Sequence, residues 1–185
     1  RRNDNNHVET VKNLGISSID MVVNNLYPFE KVLNSENNTH ENLIENIDIG
    51  GPSMIRAAAK NYNDVSIVVD PKDYPEIIER LKKNKLDKDF RLYLSCKAFN
   101  YTAYYDALIS SYFNDLLNID FPEKLTTTYK KVEDLRYGEN PHQKASFYEK
   151  VYIKDEEKTD FKQLHGKELS YNNLTDMYSA IKIVK

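Results

Sequence analysis

Only one cysteine, Cys96, occurs in these 185 residues, so no internal disulfide and no cysteine-based zinc site can form. No apolar run approaches the roughly 20 residues that would span a bilayer, which argues against a membrane protein. A basic excess is missing too. The net charge of −3 argues against a general nucleic-acid binder, which carries a positive field. No secretory leader, internal repeat or cluster with metal-ligand spacing is visible, and the cytosol is the natural compartment. Present instead are 40% apolar and 30% charged residues, the balance of a globular protein with a sizeable core.

Two short segments rich in β-branched residues read as buried strands, 19–23 (IDMVV) and 65–69 (VSIVV). Between them, 39–47 carries Leu43, Ile44 and Ile47 on one helical face, and a second helix follows from Pro52. Strand, helix, helix, strand with short links predicts an α/β layer with a parallel sheet. Ligands of such sheets gather at the carboxyl ends of strands, where Asn25 and Tyr27 fall. Ile77, Ile78 and Leu81 predict a helix that ends at 84–87. Asp87 can cap a long helix carrying Phe90, Leu94, Ala98, Tyr101, Tyr105, Leu108 and Tyr112. Its tyrosines read as packing residues with wet hydroxyls, in preference to a base-stacking stripe. Residues 118–133 lack periodicity and read as a linker, and 145–153 alternate like a strand.

The chemistry concentrates in 47–61, IDIGGPSMIRAAAKN. Gly50 and Gly51 permit φ > 0 or close backbone approach, and Pro52 suits the first helical position. Arg56 and Lys60 lie four apart on one face. A helix start of this kind attracts anions through its free N–H groups. The plain alternative is a tight loop into a helix bearing solvated cations. A second run, 135–148 (LRYGENPHQKASFY), places the fork donor Arg136, the ring of Tyr137 and the imidazole of His142 in one irregular loop. Its plain alternative is a linker arginine and a satisfied loop histidine. His7 and His40 sit in polar contexts without catalytic signal, and His165 reads as structural.

These two runs, with NNLYPF at 24–29 and QLHGKELSYNNL at 163–174, resemble the bifunctional enzyme of late purine biosynthesis. That enzyme joins a phosphoribosylaminoimidazolecarboxamide (AICAR) formyltransferase to an IMP cyclohydrolase. Four separate runs agree in order, spacing and wording, and the resemblance covers nearly the whole chain. It implies the C-terminal part of a methylglyoxal-synthase-like parallel-sheet domain (1–117) and a linker (118–133). The start of a cytidine-deaminase-like α/β formyltransferase domain (134–185) follows. The chain is expected to be an internal fragment, inactive alone, because family motifs before Arg1 and after Lys185 are missing.

The resemblance implies that Asp48, Lys60 and Tyr27 belong to the cyclohydrolase site. Asp48 is expected to take the amide proton, Lys60 to hold Asp48 and assist, and Tyr27 to donate to the oxygen. Contact between Lys60 and Asp48 requires a loop folded over the helix. Without the family, Tyr27 reads as a Tyr-Pro packing residue and Lys60 as a solvated lysine. Asn25, Gly50 and Gly51 are expected beside the substrate. Arg136, Tyr137, His142, Tyr171 and Asn172 are expected around the AICAR nucleotide. The implied cosubstrate is 10-formyltetrahydrofolate, with AICAR, formyl-AICAR and IMP as ligands, no metal in the chemistry, and a homodimer as the working form. The competing reading is a non-catalytic nucleotide-binding or regulatory module of methylglyoxal-synthase-like fold.

Overall fold

The computed structural model describes residues 2–36, 38–151 and 163–184. The chain divides into two compact units, Arg1–Ser110 and Ser111–Lys185. In the first, helix α1 (Asn5–Asn13) is capped by Asp4, whose carboxylate accepts from the backbone N–H groups of Asn6 and His7. Strand β1 (Met21–Val23) follows, then helices α2 (Phe29–Leu33), α3 (His40–Glu45) and α4 (Gly50–Lys60). Thr39 caps α3 by accepting from the Asn42 N–H. Strand β2 (Ser66–Val68) then pairs in parallel with β1 in the register Met21–Ser66, Val22–Ile67, Val23–Val68. The expected parallel layer is therefore present, with each strand shorter than its β-branched run. α4 covers this pair, contacting both strands.

A single 3₁₀ turn (Pro71–Asp73) leads into α5 (Tyr74–Lys82) and then α6 (Lys88–Leu116). Asp87 caps α6 as expected, its carboxylate accepting from the Phe90 N–H at 2.8 Å. Asn84 takes the left-handed conformation (φ 54°) just past α5, the usual place for asparagine to end a helix. Phe29, Ile55, Ala59, Ile67, Leu94 and Ala98 are fully buried and form the centre of this unit's core. Each large side chain among them contributes about 1.5–3 kcal/mol by leaving water. Ser95 fits because its hydroxyl donates to the Ala59 carbonyl at 2.9 Å.

The second unit contains the last turns of α6, an antiparallel hairpin of β3 (Tyr129–Leu135) and β4 (Ala145–Lys150), and helix α7 (Tyr171–Val184). β3 corrects the linker reading of 118–133, whose last five residues lie in this strand. A bulge between Lys131 and Glu133 interrupts the register, and most of β3 is exposed on both faces. A strand of that kind leaves no apolar alternation to read. The division between units also falls inside α6, ahead of the expected linker. Of the strand expected over 145–153, Tyr152 and Ile153 lie outside the described residues.

Candidate functional site

β1 and β2 end side by side, and the loop after β1 is tied to the end of β2. The Asn24 N–H donates to the Val68 carbonyl at 3.0 Å, and Asn25 Nδ2 to the Val69 carbonyl at 2.7 Å. This loop carries Tyr27 to the mouth of an open cleft of about 640 Å³, within the size range of small-molecule sites. Asn25, Tyr27, Glu45, Asp48, Gly51 and Met54 are among its walls. Tyr27 is 57% exposed, so the phenol faces solvent and is not a packing residue. Its backbone N–H points to Asp48 Oδ2 at 3.4 Å, while Asp48 Oδ1 accepts from the Gly51 N–H at 2.7 Å.

The start of α4 differs from expectation in two ways. Gly50 and Gly51 are themselves helical with negative φ, which moves Pro52 from the first helical position to the third. That placement is still harmless, because first-turn N–H groups have no intrahelical partner. The anion at this helix start is the chain's own Asp48. Gly51 is needed for close approach: a Cβ there would lie 2.5 Å from Asp48 Oδ2 and 2.7 Å from Leu26 Cδ2. Gly50 has open space around it.

Lys60 is the one candidate of this group placed elsewhere. It closes α4 as its last residue, about 15 Å along the axis from Gly50. A lysine side chain leaning back toward the helix start does not cover that distance. Among the described residues the expected Lys60–Asp48 contact is therefore absent.

The tyrosines of α6 also depart from expectation. Tyr105 is only 5% exposed. Its hydroxyl accepts from the Asp48 N–H at 2.8 Å and donates to the Asn46 carbonyl at 2.9 Å. One turn earlier, the Tyr101 hydroxyl accepts from the Leu26 N–H at 3.1 Å. Burial pushes the Tyr105 phenol above its ordinary value, and burial with the nearby Glu30 carboxylate pushes Tyr104 far higher. The Tyr101 and Tyr105 hydroxyls are bound to protein rather than wet. A sequence shows their i, i+4 spacing but not which backbone they meet.

The second group lies in the other unit, where two distant segments pair. The Arg136 N–H donates to the Leu169 carbonyl (3.0 Å), and the Tyr171 N–H to the Tyr137 carbonyl (3.2 Å). Asn172 Nδ2 reaches the Glu139 carbonyl at 3.3 Å. The Arg136 guanidinium lies over the Tyr137 ring, 4.8 Å from its centre, and donates to that hydroxyl at 3.2 Å. Ser170 and Asn173 cap α7 reciprocally. Four of the five nucleotide candidates thus converge. His142 stands exposed on the adjoining turn, which Gln143 organises through its backbone bond to Gly138 and its side-chain bond to the Asn140 N–H. Gln143 was missed by sequence reasoning, because a glutamine in a polar loop carries no signal. Among the described residues, no group of three or more His, Cys, Asp or Glu side chains is placed to hold a metal ion.

Parallel strands opening onto a carboxylate-bearing cleft place the chain among α/β proteins. Residues 1–53 match the family model for the MGS-like domain. Residues 58–185 match the model described as the AICARFT/IMPCHase bienzyme, and the chain belongs to that family. Relatives named bifunctional purine biosynthesis protein PurH align with the whole chain. Those of Thermoanaerobacter sp. (strain X514) and Acetivibrio thermocellus are 52% and 50% identical, and that of Bacillus cereus (strain B4264) is 49% identical. The chain spans 36% of the length of each.

Proposed function

We propose that this chain carries the cyclohydrolase cleft and part of the AICAR-binding site of an enzyme performing the last two steps of IMP biosynthesis. The first step transfers a formyl group from 10-formyltetrahydrofolate to AICAR. In the second, the carboxamide nitrogen of formyl-AICAR attacks its own formyl carbon, and water leaves as IMP forms. The observation that carries this reading is the half-buried Asp48 carboxylate. The Gly51 N–H holds it at the cleft wall, beside the exposed Tyr27 phenol.

Ring closure needs a base for the amide proton and a donor for the formyl oxygen as negative charge develops there. Asp48 serves as the base and Tyr27 as the donor. Attack within one molecule gains most from orientation, so a cleft that holds one rotamer of the formyl group supplies much of the rate. Lys60 is given no step in this cleft, because it closes the far end of α4, away from Asp48 and the cleft walls. Arg136 and Tyr137, with Tyr171 and Asn172 beside them, hold the AICAR nucleotide in the other unit, and His142 lies at its edge. In the same reading folate is the cosubstrate, the working form is a homodimer and the compartment is the cytosol. No described helix is long and apolar enough to cross a membrane.

Asp48→Asn in the full-length protein tests the reading. Cyclisation is expected to fall at least about a hundredfold, the scale of a lost acid–base group, while formyl transfer and nucleotide binding persist. Cyclisation within a few-fold of the parent would remove Asp48 as the base. Absence of both activities from the parent protein would favour the non-catalytic nucleotide-binding module.

A further inference from the structure

Tyr27 and Asp48 reach the cleft from separate loops 21 residues apart in the chain, and neither loop is part of regular structure. Both loops are fastened to the same helix. α6 is 29 residues long, and its Tyr101 and Tyr105 lie four apart, on one face. Tyr101 binds the Leu26 N–H, the residue before Tyr27, and Tyr105 binds the N–H of Asp48 itself.

The Tyr105 contact has a special economy. The Asn46 carbonyl and the Asp48 N–H are two residues apart in the short link between α3 and α4, where no helix or strand partner serves them. One neutral hydroxyl serves both, accepting from Asp48 and donating to Asn46. Phenylalanine can fill the same space but serves neither. The ring is held in turn by edge contact with the fully buried Phe29, with centroids 6.2 Å apart and planes at 71°. Burial also keeps the phenol protonated, as the donor bond requires.

We infer that Tyr105 is a positioning residue for ring closure. Its hydroxyl fixes the backbone from which the Asp48 carboxylate projects, and Tyr101 does the same for the Tyr27 loop. The inference rests on the Asp48 reading above. It predicts that removing one oxygen atom from a helix behind the cleft walls slows one reaction of two.

The test compares Tyr105→Phe, Asp48→Asn, their double variant and Tyr104→Phe in the full-length protein, with kcat and KM measured for both reactions. Tyr105→Phe is expected to lower the cyclisation kcat about tenfold, with KM within about twofold and formyl transfer unchanged. Tyr104 sits on the same helix with its hydroxyl near Glu30 of α2, and the Leu26 and Asp48 N–H groups bond Tyr101 and Tyr105 instead, so Tyr104→Phe is expected to behave as the parent. The double variant should be no slower than Asp48→Asn alone, because a residue acting through Asp48 has nothing left to position. A parental cyclisation kcat in Tyr105→Phe overturns the inference, as do an equal loss in both reactions and a double variant with multiplied defects. If Asp48→Asn cyclises like the parent, the Asp48 reading falls and this inference with it. If Asp48→Asn is slow and Tyr105→Phe is not, only this inference falls.

Discussion

Gly51→Ala puts the closest contact of the cleft under test. The added methyl would sit 2.5 Å from Asp48 Oδ2, where ordinary van der Waals contact begins at 3.4 Å, so the carboxylate has to retreat by about 0.9 Å. Leu26 Cδ2, at 2.7 Å, blocks relief on another side. A retreat of that size breaks the 2.7 Å bond from the Gly51 N–H to Oδ1. A hydrogen bond to a charged group contributes about 1.5–3 kcal/mol, and replacing a helical glycine by alanine returns up to about 1 kcal/mol. The net expectation is a loss of about 0.5–2 kcal/mol of stability. The neighbouring Gly50 is also helical but has nothing within 4 Å of its would-be Cβ. Gly50→Ala should therefore be neutral or more stable by up to about 1 kcal/mol. Thermal unfolding of the two full-length variants reads the difference in sign directly. Cyclisation by Gly51→Ala should fall about 10- to 100-fold, since a displacement near 1 Å at a reacting group can cost about a hundredfold. Equal melting temperatures for the two alanine variants would refute the close-approach argument. So would parental cyclisation by Gly51→Ala.

Arg136→Lys keeps the charge but loses the planar fork that lies over Tyr137, so AICAR affinity should fall by about 1–3 kcal/mol while cyclisation of supplied formyl-AICAR is unchanged. Isothermal titration with AICAR checks this, and unaltered affinity would exclude a bidentate phosphate contact. Lys97 bonds Asp73 at 2.6 Å and Asp70 at 3.0 Å, all three partly buried, and Lys97→Met should cost about 1.5–3 kcal/mol in urea unfolding at neutral pH. The Lys72 backbone N–H, aided by Lys97, holds the Asp70 carboxyl below its ordinary 3.8, so its contribution is present above 3.8 and is lost as pH falls through the lower folded value. Burial opposes the charge on Lys97, but Asp73 and Asp70 outweigh it and raise its pKa above 10.5. That contribution is complete below 10.5 and is lost as pH rises through the raised value. The difference between parent and Lys97→Met should then stay flat between these limits and shrink below the acid one. A difference that changes around neutral pH would contradict the assignment.

Residue order by itself determined whatever depends on neighbours along the chain. β1 and β2 were legible because β-branched runs bounded by polar loops have few other uses, and α6 because Asp87 precedes a long apolar period. The wording of 24–29, 47–61, 135–148 and 163–174 carried the family resemblance, since a match in order and spacing is read along the chain. Tertiary structure decided the rest. β3 was hidden because its faces are exposed and a bulge breaks its alternation, so only pairing with β4 makes it a strand. The roles of two adjacent glycines separated only when Leu26 and Asp48 came to rest against one of them. Lys60 and Asp48, twelve positions apart and suggestive on paper, were parted because a straight helix converts sequence distance into length. Tyr101 and Tyr105 looked like ordinary packing residues until the fold brought two loops to their hydroxyls. A hydroxyl's partner is chosen in space, and residues 46–48 meet residue 105 only after the chain has packed.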